Sequence, residues 1–127
     1  LLMRLNSDLT DILDAAIDHR LAEVTPDWDP RPTLGVVLAA AHYPASPRKG
    51  DVISGLDADP GEDAKVFHAG TTLEHGEVLT SGGRVLCACA RGKDIAEAQA
   101  NAYAAVRNIR WEGLHFRSDI GWRAIAR

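Results

Sequence analysis

The apolar positions of this chain change period several times, and each change marks an element. Leu9, Ile12, Leu13, Ala16, Ile17 and Leu21 recur every three or four residues, the rhythm of one helix face. Ser7 and Asp8 precede them as N-cap candidates, and Asp11 puts a carboxylate in the first turn, where the helix dipole favours it. The spacing predicts an amphipathic helix running to about Ala22. Thr25-Pro26-Asp27-Trp28-Asp29-Pro30-Arg31-Pro32 breaks the rhythm, because proline fixes φ and lacks the N–H a helix needs. This segment is predicted to be a semi-rigid, extended connector and a domain boundary.

Beyond the prolines the rhythm shortens. Thr33 to Ala41 carries Leu34, Val36, Val37 and Leu38 without polar alternation, which predicts a strand buried on both faces. Tyr43 to Gly50 reads as a surface loop, Val52-Ile53 as a short strand, and Asp57 to Asp63 as an acidic turn. Three strands are predicted next: Lys65–Ala69, Thr71–Leu79 with an interruption at Glu74-His75-Gly76, and Arg84–Ala90. Asp94 then caps a helix bearing Ile95, Ala98, Ala102, Ala105, Val106 and Ile109, a small-residue face suited to close packing on a sheet. Trp111 to Arg127 reads as a tail with one or two short strands. The expected class is α+β, a helix laid on an antiparallel sheet.

Composition narrows the function. A chain of 127 residues has room for one compact domain, or for one domain plus a fragment of a neighbour. Its net charge of −4 argues against a nucleic-acid binder, which needs a broad basic face. No apolar run approaches the ~20 residues of a membrane span, and Leu1 to Leu9 is too interrupted by Arg4, Asn6 and Asp8 for a signal peptide. Cys87 and Cys89 would point to one face of a strand, a poor geometry for pairing with each other. Reduced, packed thiols in a cytoplasmic protein are the expectation. The start, Leu1-Leu2-Met3-Arg4-Leu5, opens in mid-pattern, as a piece of a longer polypeptide would.

The local chemistry concentrates at Thr80 to Arg91. Gly82 and Gly83 suit a tight turn at φ > 0, and Arg84 follows where a strand leaves it. Backbone N–H groups beside a guanidinium make a candidate grip for a phosphate, and the alternative is an ordinary Gly-Gly hairpin. Elsewhere bland roles are expected. His68 reads as a half-buried strand histidine bonded to a backbone carbonyl. Arg117 and Asp119 read as an ion pair anchoring the tail, Arg48 and Lys49 as solvated charges, and Arg4 as a surface salt bridge. Trp28, Trp111 and Trp122 read as interdomain and core packing. His42, His75, His115 and the cysteines lack zinc-ligand spacing.

Several blocks together carry a family resemblance. They are Leu1-Leu2-Met3-Arg4-Leu5-Asn6-Ser7-Asp8-Leu9, Val66-Phe67-His68-Ala69-Gly70-Thr71, Ser81-Gly82-Gly83-Arg84-Val85-Leu86, Ala96-Glu97-Ala98, Ala102-Tyr103-Ala104 and Arg117-Ser118-Asp119-Ile120-Gly121-Trp122-Arg123-Ala124-Ile125. In order and spacing they resemble the C-terminal part of the phosphoribosylamine–glycine ligase family of purine biosynthesis, also called glycinamide ribonucleotide synthetases. The resemblance implies an ATP-grasp ligase that uses ATP and Mg²⁺ (or Mn²⁺) to activate glycine as an acyl phosphate for attack by phosphoribosylamine. It implies that residues 1–24 are the terminal helix of the ATP-grasp core, 25–32 a linker, and 33–127 a C-terminal domain walling the active site. Metal ligands and ATP-clamping lysines would lie upstream, so that this stretch alone is expected to be inactive. By the same analogy Gly82, Gly83 and Arg84 would hold the ribose 5′-phosphate. The chain departs from the family pattern at Ala41-His42-Tyr43-Pro44-Ala45, where the family has Gly-Gly-Tyr-Pro-Gly. The loss of those glycines implies ordinary φ/ψ values there. A reading of another class, a non-catalytic α+β interaction module, would leave the Gly-Gly-Arg turn without a ligand.

Overall fold

The computed structural model describes residues 1–126. A short 3₁₀ turn at Leu2–Arg4 leads to helix α1 (Leu9–Ile17), which Asp8 caps by accepting from the Thr10 N–H at 2.7 Å. The helix stops one turn and more before Ala22. His19 takes φ 59°, the Arg20 N–H turns back to the Ala15 carbonyl at 2.7 Å, and the His19 N–H bonds the Ala16 carbonyl at 3.3 Å. That is a Schellman ending with histidine where glycine is usual. A second 3₁₀ turn, Leu21–Glu23, carries the remaining apolar residues.

The proline-rich segment is tied to the body by charge. Asp29 is buried and accepts from Arg31 (Nη2 at 2.7 Å) and from Arg91 (Nη1 at 3.1 Å). Arg31 also reaches both oxygens of Asp63 at 3.0 Å. The Arg31 guanidinium beside it lowers the Asp29 carboxyl from 3.8 to about 2. Arg4 donates to the Asp29 carbonyl at 2.8 Å, so its partner is a backbone oxygen and not the carboxylate of a salt bridge.

Five strands follow: β1 (Thr33–Ala39), β2 (Ala64–His68), β3 (Thr71–Glu74), β4 (Glu77–Thr80) and β5 (Arg84–Arg91). They form two antiparallel sheets, ordered β1-β5-β2 and β3-β4. Helix α2 (Ile95–Val106), capped by Asp94 at the Glu97 N–H (2.9 Å), lies across the larger sheet. Its Ala98, Ala102 and Ala105 bring its axis close to Leu34, Val36, Leu38, Leu86, Ala88 and Ala90, and Ile109 and Trp111 close the end of this core. The α+β class expected from the pattern is the observed one.

Four strand expectations are corrected. β1 is buried on one face only, because Gly35 and Val37 point away from α2 into an uncovered sheet face. Thr71–Leu79 is a hairpin of two strands, turning at His75 (φ 51°) and Gly76 (φ 85°). Val52 makes only a single bridge, to Leu79. The tail contributes one bridge, Ala39–His115, and a helical turn α3 (Trp122–Ile125) instead of strands. The tail is held by side chains: Gln99 donates to the Ile120 carbonyl at 2.7 Å and Tyr103 to the Arg117 carbonyl at 2.6 Å. Among the described residues no helix is long and apolar enough to cross a membrane.

Candidate functional site

The uncovered face of the larger sheet carries the candidate site. β5 runs through the middle of that sheet, and one extra residue, Val85, is inserted between its pairings Leu38–Leu86 and Ala39–Arg84. Such a bulge bends the strand end and re-aims the residue beside it. Arg84 stands at that bend, exposed, and pairs with no carboxylate among the described residues. With Gly83, Tyr43, Pro47, Val37 and Cys87 it borders an open cleft of about 550 Å³.

The glycines do a different job from the one expected. β4 pairs with β3 while β5 pairs with β1 and β2, so residues 80–84 cross between two sheets and are not a β-hairpin. Neither Gly82 nor Gly83 has a φ in the left-handed region. They are needed for close approach. A Cβ on Gly83 would lie 2.3 Å from Tyr43 Cδ2, so the phenol ring rests directly on that backbone. Gly82 faces Gly70, whose carbonyl accepts from the Ser81 N–H at 2.8 Å and the Gly82 N–H at 3.2 Å. The Gly82 N–H is therefore committed inside the protein. Gly83 spends its carbonyl on the Ala40 N–H (2.9 Å), and its own N–H has no acceptor among the described residues. The anion grip expected from three residues thus reduces to the Gly83 N–H and the Arg84 guanidinium.

Gly70 and Tyr43 were not singled out in the sequence as site residues. The signal for Gly70 was present in the His-Ala-Gly-Thr block, since a glycine at a strand end often marks a close backbone approach. Tyr43 sits in a loop whose His42 takes φ 64°, so the loop does enter left-handed space, contrary to the expectation for a loop that lacks the family's glycines.

The remaining candidates lie apart from this chemistry. His68 is exposed at the edge strand and bonds the Thr71 hydroxyl at 3.0 Å, not a backbone carbonyl. Arg48 is not a solvated charge: it reaches Asp51 at 2.8 Å and Glu112 at 3.2 Å, holding the Pro-rich loop down. Arg117 and Asp119 form the expected ion pair at 2.7 Å. Trp111 is core, but Trp122 is half exposed with Arg123 over its ring, and Trp28 is likewise exposed. A second cleft of about 560 Å³ runs along the end of α2 past Arg107, Arg110 and Trp111. The Trp111 indole nitrogen on its wall is buried without a hydrogen-bond partner among the described residues. Among the described residues no three His, Cys, Asp or Glu side chains converge as metal ligands.

Comparison with known proteins bears on this geometry. Residues 33–123 match the family described as phosphoribosylglycinamide synthetase, C domain. A phosphoribosylamine–glycine ligase of Vibrio vulnificus (strain CMCP6) is 54% identical over 127 residues, covering all of this chain and 30% of that protein. The Allochromatium vinosum protein of the same name is 58% identical over 127 residues, again covering all of this chain and 30% of its own length. The crystal structure of phosphoribosylamine–glycine ligase from Thermotoga maritima superposes with a TM-score of 0.65 at 30% identity, covering 84% of this chain and 27% of that one. The chain thus spans less than a third of the length of these relatives. The match over most of its residues means that it belongs to the phosphoribosylglycinamide synthetase C-domain family.

Proposed function

We propose that this chain is part of a phosphoribosylamine–glycine ligase, an ATP-dependent carbon–nitrogen ligase of purine biosynthesis, and that it helps to hold the ribose 5′-phosphate of phosphoribosylamine. The observation that carries the second statement is an exposed arginine with no carboxylate partner, set beside an uncommitted backbone N–H at the mouth of a cleft. A surface guanidinium with no partner is fully available to a phosphate, and its planar fork suits two phosphate oxygens at once. The Gly83 N–H adds a second, fixed donor. The apolar wall of Val37 and Tyr43 would then face the sugar.

Such a grip positions substrate and takes no part in bond making. The activation of glycine belongs to ATP and Mg²⁺ or Mn²⁺ in the longer enzyme. Among the described residues no three His, Cys, Asp or Glu side chains converge, and the role proposed for Gly83 and Arg84 involves no metal. A hydrogen bond to a charged group contributes about 1.5–3 kcal/mol, which corresponds to about 10- to 150-fold in affinity. The Arg84→Ala variant of the full-length ligase is therefore expected to raise KM for phosphoribosylamine within that range while KM for ATP stays unchanged. An unchanged phosphoribosylamine KM removes Arg84 from the site, and an equal rise for both substrates points to a structural defect instead.

A further inference from the structure

Cys87 and Cys89 are free thiols two residues apart on β5, both partly exposed on the sheet face that α2 leaves uncovered. Their sulfurs lie 3.5 Å apart. Gly35 pairs with Cys89 on the neighbouring strand, and its missing Cβ leaves the sulfurs room, since a methyl there would sit 3.1 Å from Cys89 Sγ and 3.2 Å from Cys87 Sγ. Two thiols held side by side on a rigid strand form a preset bite for an atom that binds sulfur.

The bite distance selects the atom. With bonds of about 2.3 Å, as for zinc thiolate, a 3.5 Å separation fixes an S–X–S angle of about 100°. A linear two-coordinate ion with bonds of that length would need sulfurs about 4.6 Å apart. A tetrahedral metal would need two more ligands, and no third His, Cys, Asp or Glu joins the pair among the described residues. An angle near that of three-coordinate pyramidal atoms remains, and we infer that Cys87 and Cys89 form a dithiol site that chelates trivalent organoarsenicals.

The chemistry balances without a redox partner. An arsenoxide, R–As=O, meets two thiols; both S–H bonds and the arsenic–oxygen bond break, two As–S bonds form, and one water leaves. Arsenic stays trivalent throughout. The contact between the two sulfurs, in which either thiol can donate, lowers the Cys87 thiol from 9.0 to about 7, while Cys89 is raised by the same contact and by burial. A thiolate is thus present near neutral pH to make the first bond.

The site stands independently of the ligase reading, and its test uses the purified, reduced chain with phenylarsine oxide, read by intact mass. One adduct per chain is expected, with the mass of the probe less one water, resistant to excess glutathione and removed by 2,3-dimercaptopropanol. Closing the second As–S bond is intramolecular, so Cys87→Ser and Cys89→Ser should each weaken the glutathione-resistant adduct by about 10²-fold or more. Wild-type chain alkylated at one cysteine with iodoacetamide gives the same comparison without a substitution. Adducts of equal strength on single-thiol chains would overturn the chelate. So would a folded wild-type chain that does not react while the same chain in urea does.

Discussion

Replacing Gly70 by alanine places a methyl group where the structure has only backbone. The new Cβ would lie 2.7 Å from the Gly82 Cα, 2.8 Å from the Arg84 carbonyl oxygen and 2.9 Å from the Gly82 nitrogen. None of these atoms belongs to a flexible side chain, so the crossing from β4 to β5 must itself move. Three hydrogen bonds are then strained together: the Gly70 N–H to the Arg84 carbonyl at 2.9 Å, and those from Ser81 and Gly82 to the Gly70 carbonyl at 2.8 and 3.2 Å. Overpacking costs about 1–3 kcal/mol, and each weakened bond forfeits part of about 0.5–1.5 kcal/mol. A loss of about 2–4 kcal/mol is expected, which at a urea m-value of about 2 kcal/mol/M moves the midpoint down by about 1–2 M.

The sign of the effect is the decisive feature. The φ of Gly70 lies outside the left-handed region, so alanine meets no backbone penalty there. Without the clash, Gly70→Ala would stabilise the protein by about 0.4–1 kcal/mol through the unfolded chain. Gly76→Ala is the control: it has φ 85° and nothing within 4 Å of a new Cβ. It should lose only the left-handed cost of about 1 kcal/mol. Urea unfolding followed by tryptophan fluorescence reads all three chains. A Gly70→Ala protein at least as stable as wild type would refute the close approach of Gly70 and Gly82 that holds the crossing from β4 to β5.

Two further expectations concern the N-terminal part of the chain. The Asp29 carboxyl is held at about 2 in the folded protein against 3.8 ordinarily, so its stabilising contribution is complete above about pH 4 and is lost as pH falls towards 2. Asp29→Asn should flatten the acid limb of a stability–pH profile over that window, and an unchanged slope would show that Arg31 and Arg91 do not depend on its charge. Helix α1 exposes Leu9, Leu13 and Ile17 at 42%, 54% and 74%. Changing Leu13 and Ile17 together to serine should reduce self-association in sedimentation velocity, and a wild-type chain that stays monomeric at high concentration would show that this face has no such cost.

The elements that rest on periodicity were legible. The α2 face of Ala98, Ala102 and Ala105, its Asp94 cap, and the apolar runs of β1 and β5 all stand where the pattern put them. Burial on the second face of β1 was not legible. An apolar run such as Leu34 to Leu38 reads as buried on both sides, but it does not say whether an element packs on each face, and Gly35 and Val37 lie on the face that α2 leaves exposed. The ion network of Asp29, Arg31, Asp63 and Arg91 was equally hidden, because its members are 62 residues apart at the extreme and nothing local marks them as partners.

Backbone conformation at the site was the sharpest divergence, and it has one physical cause. Glycine has two uses, left-handed φ and the absence of a side chain, and a sequence does not say which one a given glycine serves. At Gly82 and Gly83 it serves the second: one lies against Gly70, the other under the Tyr43 ring. Left-handed φ falls instead to His19, His42 and His75 as well as to glycines elsewhere. Histidine is among the residues that tolerate this region at small cost, so a loop without glycine is not thereby confined to ordinary angles. The Tyr43 loop therefore closes over Gly83 despite Ala41 and Ala45, and the cleft wall beside Arg84 is built from a residue pair that no glycine count would have joined.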